Sequence, residues 1–279
     1  MRFMFLAAAL ALAACGSDAD ADYAGEMREQ HDGETPDASG ATTDAADLNV
    51  TTEEVAYATV GGRTVTGALA RPAGEEGPLP GVIVIHEWWG LNDNVRDMAR
   101  RLANEGYAAL AVDLYGGETA DSPDAAMSLM QRAMGRQAEL TDNVRQAHAY
   151  LAAEQAAPRV GSVGWCFGGM WSLRTALALP DELDAAVIYY GRPVTDPDEL
   201  APLSMPVLAL FGEADESIPM DSVREFESAL EEAGVTNEVV SYPGAAHAFA
   251  NPSGQSYDPA AAEDAWTRTT AFLSENLKR

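Results

Sequence analysis

"RVGSVGWCFGGMWSLRTALAL", residues 159–179, joins a short strand pattern to a helix pattern that stops at Pro180, and the joint is Gly164-Trp165-Cys166-Phe167-Gly168. Small residues two before and two after a central side chain let strand and helix pack closely while the middle residue takes a strained conformation. This is a nucleophile elbow with cysteine in the place of serine. A thiol there stands at a helix N-terminus, where the macrodipole and free N–H groups favour a thiolate and the Phe167 N–H faces a developing oxyanion. The competing reading is that Cys166 is a small apolar residue filling a core.

Outward from the elbow, strand and helix patterns alternate. "EEVAYATVGGRTVTGALARP" alternates around Gly61-Gly62 and predicts a β-hairpin, and "GVIVIHE" from Gly81 is a β-branched run of a strand buried on both faces. Then come a helix closed by Gly106, the strand "AALAVDL", and one helical segment from Asp124 to about Glu154, with Ser122 and Pro123 at its start. Beyond the elbow helix follow strands "DAAVIYYG" and "MPVLALFGE", a helix stopped at Gly234, strand "NEVVSYP" and a final helix over residues 259–277. Such alternation implies an α/β fold with a mostly parallel, twisted sheet and helices on both faces, whose chemistry gathers at the carboxyl ends of the strands. Asp215 follows "PVLALFG" and His247 follows "NEVVSYP", giving the order nucleophile, acid, histidine of α/β-hydrolases. Glu213 and Glu216 are rivals to Asp215 within "GEADESIP". His86 reads as a satisfied buried histidine, His148 as structural or exposed, and Met127, Met130 and Met134 as inward-packing helix residues.

Composition excludes some classes. The 279 residues are 47% apolar and carry a formal charge of −27. That balance argues against nucleic acid or an anionic membrane surface as a partner, because phosphate contacts need clustered Lys and Arg. The start, "MRFMFLAAALALAAC", has Arg2 and then an apolar run too short to span a bilayer, which needs about 20 residues. Its "LAAC" end resembles a lipobox. On that reading residues 1–14 are a signal peptide, Cys15 is lipidated, and the protein faces the periplasm, held to the (outer) membrane by its lipid alone. Residues 15–50 hold ten acidic residues against one basic one, Arg28, without apolar periodicity, and are expected to be a disordered tether with His31 as a solvated linker residue. The folded domain is expected over 51–279. With Cys15 lipidated, Cys166 has no disulfide partner in the chain. The four histidines and two cysteines are dispersed, so no metal cluster is expected, and no phosphate or dinucleotide fingerprint calls for a cofactor.

"HEWWG" (86–90), "DLYGG" (113–117), "GWCFGG" (164–169), "VIYYG" (187–191), "GEADESIP" (212–219) and "YPGAAHAF" (242–249) together resemble the dienelactone hydrolase family, over residues 52–277. The resemblance implies an α/β-hydrolase fold and a triad of Cys166, Asp215 and His247. It further implies that Glu87 helps deprotonate the nucleophile, that the Trp88 N–H completes the oxyanion hole with that of Phe167, and that Tyr189 lines the active site. Trp89 is placed to wall an apolar pocket. One departure stands out: where founding members carry a substrate-binding arginine four residues after the histidine, this chain has Asn251, which can hydrogen-bond but cannot neutralise a carboxylate. Arg132, Arg136 and Arg192 are the cations that could replace it.

A thiolate is a far better leaving group than an alkoxide, so acylation of cysteine reverses unless the substrate's own leaving group is stabilised. The expected activity is therefore cleavage of an enol lactone or activated ester through a thioester acyl-enzyme, by a monomer. The alternatives are a broad-specificity periplasmic carboxylesterase and a tethered, non-catalytic binding protein of the same fold.

Overall fold

A computed structural model describes residues 17–36 and 48–279. The expected signal peptide over 1–14 and the lipidation site Cys15 lie outside the described residues.

The sheet starts as a hairpin. Strands β1 (Val50–Val60) and β2 (Arg63–Pro72) reverse at Gly61-Gly62, whose φ values of +55° and +77° are the positive pair that a two-residue turn matching the strand twist requires. Strands β3 (Gly81–Ile85), β4 (Ala108–Val112), β5 (Val160–Trp165), β6 (Ala185–Tyr189), β7 (Val207–Gly212) and β8 (Asn237–Tyr242) complete one eight-stranded sheet in the order β1-β2-β4-β3-β5-β6-β7-β8. Pairing is antiparallel for β1 with β2 and β2 with β4 and parallel for the rest. Strands β3 to β7 are buried along their whole length, as expected where helices cover both faces.

The covering helices are α2 (Asp93–Asn104), α3 (Pro123–Met134), α4 (Gln137–Ala153), α5 (Phe167–Ala178), the short α6 (Pro197–Leu200), α7 (Met220–Glu232) and α8 (Pro259–Leu277). Gly81 and Val160 are register partners, so Gly161 points to the opposite face. A Cβ at Gly81 would meet Leu151 of α4 and one at Gly161 would meet Leu277 of α8, which places these helices on opposite sides of the sheet. Helix α3 starts as the sequence indicates, with Ser122 at its N-cap and Pro123 in its first turn. The single helix expected from Asp124 to Glu154 is two helices. Gly135, which costs an interior helical position about 1 kcal/mol, ends α3, and the chain restarts after Arg136.

The larger correction concerns the N-terminal segment. Residues Ser17–Gln30 form helix α1, followed by a turn through Gly33, so the disordered tether expected over 15–50 does not hold for 17–36. Tyr23, Ala24 and Met27 are buried in the main core, and His31 and Glu34 are buried with them. These residues recur at the three- and four-residue spacing of one helical face. Arg28 pairs with Asp124 on α3 at 2.8 Å, and the Gln255 N–H donates to Glu34 at 3.1 Å, fastening the second half of the segment.

Candidate active site

The chain turns from β5 into α5 at Cys166, which adopts φ +56° and ψ −116°. L-residues pay about 1 kcal/mol or more for such a conformation, which persists only where surroundings over-determine it. The surroundings here are backbone. A Cβ on Gly164 would lie 2.0 Å from the Gly168 carbonyl oxygen, and one on Gly168 would lie 2.3 Å from that of Ile85. Neither atom can move aside, so only glycine fits at the two positions flanking the elbow. The Cys166 N–H donates to the Tyr189 carbonyl at 3.0 Å, and its own carbonyl accepts from the Met170 N–H at 3.1 Å. Phe167 is the first residue of α5, so its N–H has no acceptor within the helix.

His247 and Asp215 arrive from the loops after β8 and β7. His247 Nδ1 lies 2.7 Å from Asp215 Oδ2, both buried. Asp215 Oδ1 accepts from the Ser217 N–H (2.9 Å), the Ser217 hydroxyl (2.7 Å) and the Ile218 N–H (3.0 Å). This web separates Asp215 from its rivals, since Glu213 and Glu216 are exposed. Burial disfavours the Asp215 carboxylate, but His247 and these donors outweigh it and hold the group below its usual range. His247 is likewise opposed by burial and raised well above an ordinary imidazole by Asp215 and Cys166. The fully buried Cys166 thiol is pushed up by burial, yet His247 and His31 bring it down to about 6.

Glu87 follows β3 and is pushed up to about 8, first by burial and then by the charge of Cys166. It accepts from Asn251 Nδ2 at 2.6 Å and from the Tyr190 hydroxyl at 3.4 Å. Asn251 is thus engaged with Glu87, and its Oδ1 accepts from the Ser253 N–H and hydroxyl, so it is not free for the substrate role given to it. Tyr189 also differs from expectation. Its hydroxyl pairs with Thr269 of α8 at 2.7 Å, whereas Tyr190, at φ +35°, places its ring 5.1 Å from that of His247. Strand β6 ends at Tyr189, and the positive φ of the next residue turns only the second tyrosine of the pair to the site. The Trp88 and Trp89 rings meet at 4.9 Å beside it. His86 is satisfied, with Nδ1 2.6 Å from the Glu87 carbonyl and Nε2 accepting from the Leu114 N–H at 3.1 Å. Arg132 and Arg136 pair with Glu118 and Glu139, while Arg192 lies 5.4 Å from the Tyr23 ring.

Sequence reasoning missed what covers the thiol. Met27 Sδ of α1 lies 3.7 Å from Cys166 Sγ, and the His31 ring packs 4.8 Å from that of Trp88 and 5.6 Å from that of His247. His31 Nδ1 meets Glu34 Oε2 at 2.5 Å. Burial lowers the His31 pKa, but hydrogen bonding with Cys166 and Glu34 carries it to about 9. Gln30 also reaches Asp215, at 3.4 Å. With this segment seated, Cys166 and His247 are each 1% exposed. The expectation that the histidines and cysteines would not cluster is overturned, because the fold brings His31, Cys166 and His247 together with ligand atoms within 4.8 Å of one another. The one legible signal was the four-residue spacing of Tyr23, Met27 and His31, the first two on α1 and the third in the turn that follows it.

Since the thiol lies below the ordinary range, its thiolate is present at neutral pH and is lost as pH falls through about 6. Ultraviolet thiolate absorbance of the full chain should show that midpoint. Replacing the nearest charge, by His247→Asn, should move it upward toward the free-thiol value of about 8.5.

A mostly parallel sheet with a strained residue at the β5–α5 corner, an acid after β7 and a histidine after β8 defines an α/β-hydrolase. Residues 65–277 match the dienelactone hydrolase family, and the chain belongs to it. A protein of Escherichia coli named "Putative carboxymethylenebutenolidase" is 37% identical over 221 residues, 74% of this chain and 80% of that one. Among solved structures, a dienelactone hydrolase from Klebsiella pneumoniae, named as putative, is 33% identical, with TM-score 0.73 over 81% of this chain and 99% of its own. A dienelactone hydrolase-like promiscuous phosphotriesterase from metagenomic libraries is 28% identical, with TM-score 0.75 over 82% of this chain and 99% of its own. The chain is a hydrolase of the carboxymethylenebutenolidase type.

Proposed function

We propose that the protein cleaves enol lactones or activated esters through Cys166, His247 and Asp215, with a thioester acyl-enzyme. The observation that carries this reading is the Cys166 thiol, held at a strained elbow beside a histidine whose far nitrogen is fixed by a buried carboxylate. The Cys166 thiolate attacks the ester carbonyl carbon, and the electron pair moves onto the carbonyl oxygen, where the Phe167 and Trp88 N–H groups receive it. Collapse expels the alkoxide or enolate, which takes the proton of the His247 imidazolium. His247, now neutral, accepts a proton from water as the water attacks the thioester. The acid departs and the thiolate–imidazolium pair is restored. Asp215 keeps the His247 ring in the tautomer and orientation that both steps need. Glu87, held by Asn251 and Tyr190, sits close enough to Cys166 for each to raise the cost of ionising the other, so a protonated Glu87 accompanies the thiolate.

Substrate reaches Cys166 only after the segment carrying Tyr23, Met27 and His31 has moved off it. The space it vacates is bordered by Trp88 and Trp89, an apolar wall that suits a compact unsaturated lactone or aryl ester. Relative rates on p-nitrophenyl acetate, an enol lactone and ethyl acetate test the leaving-group argument. Activity on the first two should exceed that on the alkyl ester by at least about a hundredfold, in line with the gap between thiolate and alkoxide as leaving groups. Equal rates on all three would reject the thioester reading.

A further inference from the structure

Two histidines approach Cys166 in the same way from different parts of the chain. His247 offers Nε2 while its Nδ1 is fixed by Asp215, and His31 offers Nε2 while its Nδ1 is fixed by Glu34. Both Nε2 atoms are buried, and among the described residues neither meets a nitrogen or oxygen partner, the Cys166 sulfur being the polar atom beside them. One ring nitrogen of each histidine and Cys166 Sγ lie within 4.8 Å of one another, and Met27 Sδ stands 3.7 Å from Sγ. A histidine that ligates a metal almost always donates its other ring N–H to a carboxylate, a backbone carbonyl or water, which fixes the tautomer and raises the basicity of the ligating atom. Here both histidines have that support. The hydrolytic reading uses one of them and leaves His31, Glu34 and Met27 unexplained.

We propose that His31 Nε2, His247 Nε2 and Cys166 Sγ, with Met27 Sδ as a soft fourth donor, form a binding site for a thiophilic cation of the Zn(II) or Cu(I) class. The donor set selects that class, since thiolate and thioether favour Cu(I) and Zn(II), and oxygen-seeking Mg(II) and Ca(II) find no oxygen among these four atoms. In a tetrahedral site with Zn–S and Zn–N bonds of about 2.3 and 2.0–2.1 Å, ligand atoms stand about 3.3–3.6 Å apart, so side-chain rotations that draw the three atoms together by about 1 Å close the cluster. Because His31 and Met27 belong to the N-terminal segment, the bound ion ties that segment over the thiol and withholds Cys166 from ester. This inference goes beyond the hydrolytic reading, and its test uses no ester, so either can fail without the other.

The test is a titration of the metal-free full chain, kept reduced by a phosphine, with Co(II) as a spectroscopic probe and Zn(II) as competitor. One equivalent of Co(II) should give thiolate-to-metal charge transfer and the intense visible bands of a tetrahedral ion, both displaced by Zn(II). Cys166→Ala and His31→Ala should each abolish the bands. Glu34→Gln, which keeps every ligand and removes only the carboxylate behind His31, should weaken binding about 10- to 100-fold. Absence of tetrahedral bands in the full chain would overturn the proposal. So would His31→Ala binding Co(II) as tightly as the unaltered chain, for the two imidazoles would then merely hold protons against the thiolate.

Discussion

Cys166→Ala should lower kcat/KM on p-nitrophenyl acetate by on the order of a million-fold while leaving the protein folded. The size follows from what the thiol does: without it there is no acyl-enzyme, and what remains is oxyanion stabilisation and binding alone, the residue left in other hydrolases when a triad member is removed. Folding should be spared because the strained backbone at 166 is fixed by its neighbours. The close approach of Gly164 to the Gly168 carbonyl, which leaves no room for a Cβ, and the Cys166 N–H bond to Tyr189 are both independent of the side chain at 166. An alanine there also loses little buried apolar volume. Steady-state rates with a thermal melt on the same preparation check both halves. An active Cys166→Ala protein would return Cys166 to the core-filling role and leave the hydrolytic centre elsewhere.

The second large effect concerns the segment over the site. A chain of residues 48–279 should hydrolyse the same ester about 10- to 100-fold faster, in kcat/KM, than the full chain, and its Cys166 should react with iodoacetamide faster by a similar factor. Apparent affinity falls by the fraction of molecules that are competent to bind. Burying a methionine side chain alone stabilises by about 1.5–3 kcal/mol. After the cost of ordering the segment, a net stabilisation of about 1.4–2.8 kcal/mol corresponds to one open molecule in about 10 to 100. The anchors removed with it are Met27 against Cys166, Tyr23 near Arg192, and Arg28 with Asp124. The family match begins at residue 65, downstream of the segment. Equal rates for the two chains would mean that α1 leaves the site freely.

These expectations rest unevenly on what the sequence discloses. Backbone constraints with a local cause were legible: the Gly61-Gly62 reversal, the glycines around Cys166, Pro123 in the first turn of α3. So was chain order, because Asp215 and His247 follow the strands that carry them to Cys166. What failed depended on one-residue or long-range choices. Tyr189 and Tyr190 are adjacent, and which one faces the site is decided by the positive φ at 190, which no composition pattern reveals. Asn251 was read as the replacement for an arginine. Its commitment to Glu87 is a contact between residues far apart in sequence. Helix α1 was hidden because its buried face, continued into the turn that follows it, is a narrow stripe of Tyr23, Met27 and His31 among many acidic residues, and a high acidic fraction otherwise marks chain that cannot bury enough apolar surface to order. Its partners, Trp88, Cys166 and His247, lie on three other segments, so the energy that orders α1 is tertiary and the spacing alone is a weak signature of it.

The central claim is that Cys166 carries the acyl group during turnover. The most direct measurement is peptide mass spectrometry of the 48–279 chain, acid-quenched while hydrolysing excess p-nitrophenyl butyrate. The peptide containing Cys166 should carry one butyryl group, released by neutral hydroxylamine and absent from Cys166→Ala. Turnover at full rate with Cys166 unmodified, or the acyl group on another residue, would contradict the thioester mechanism.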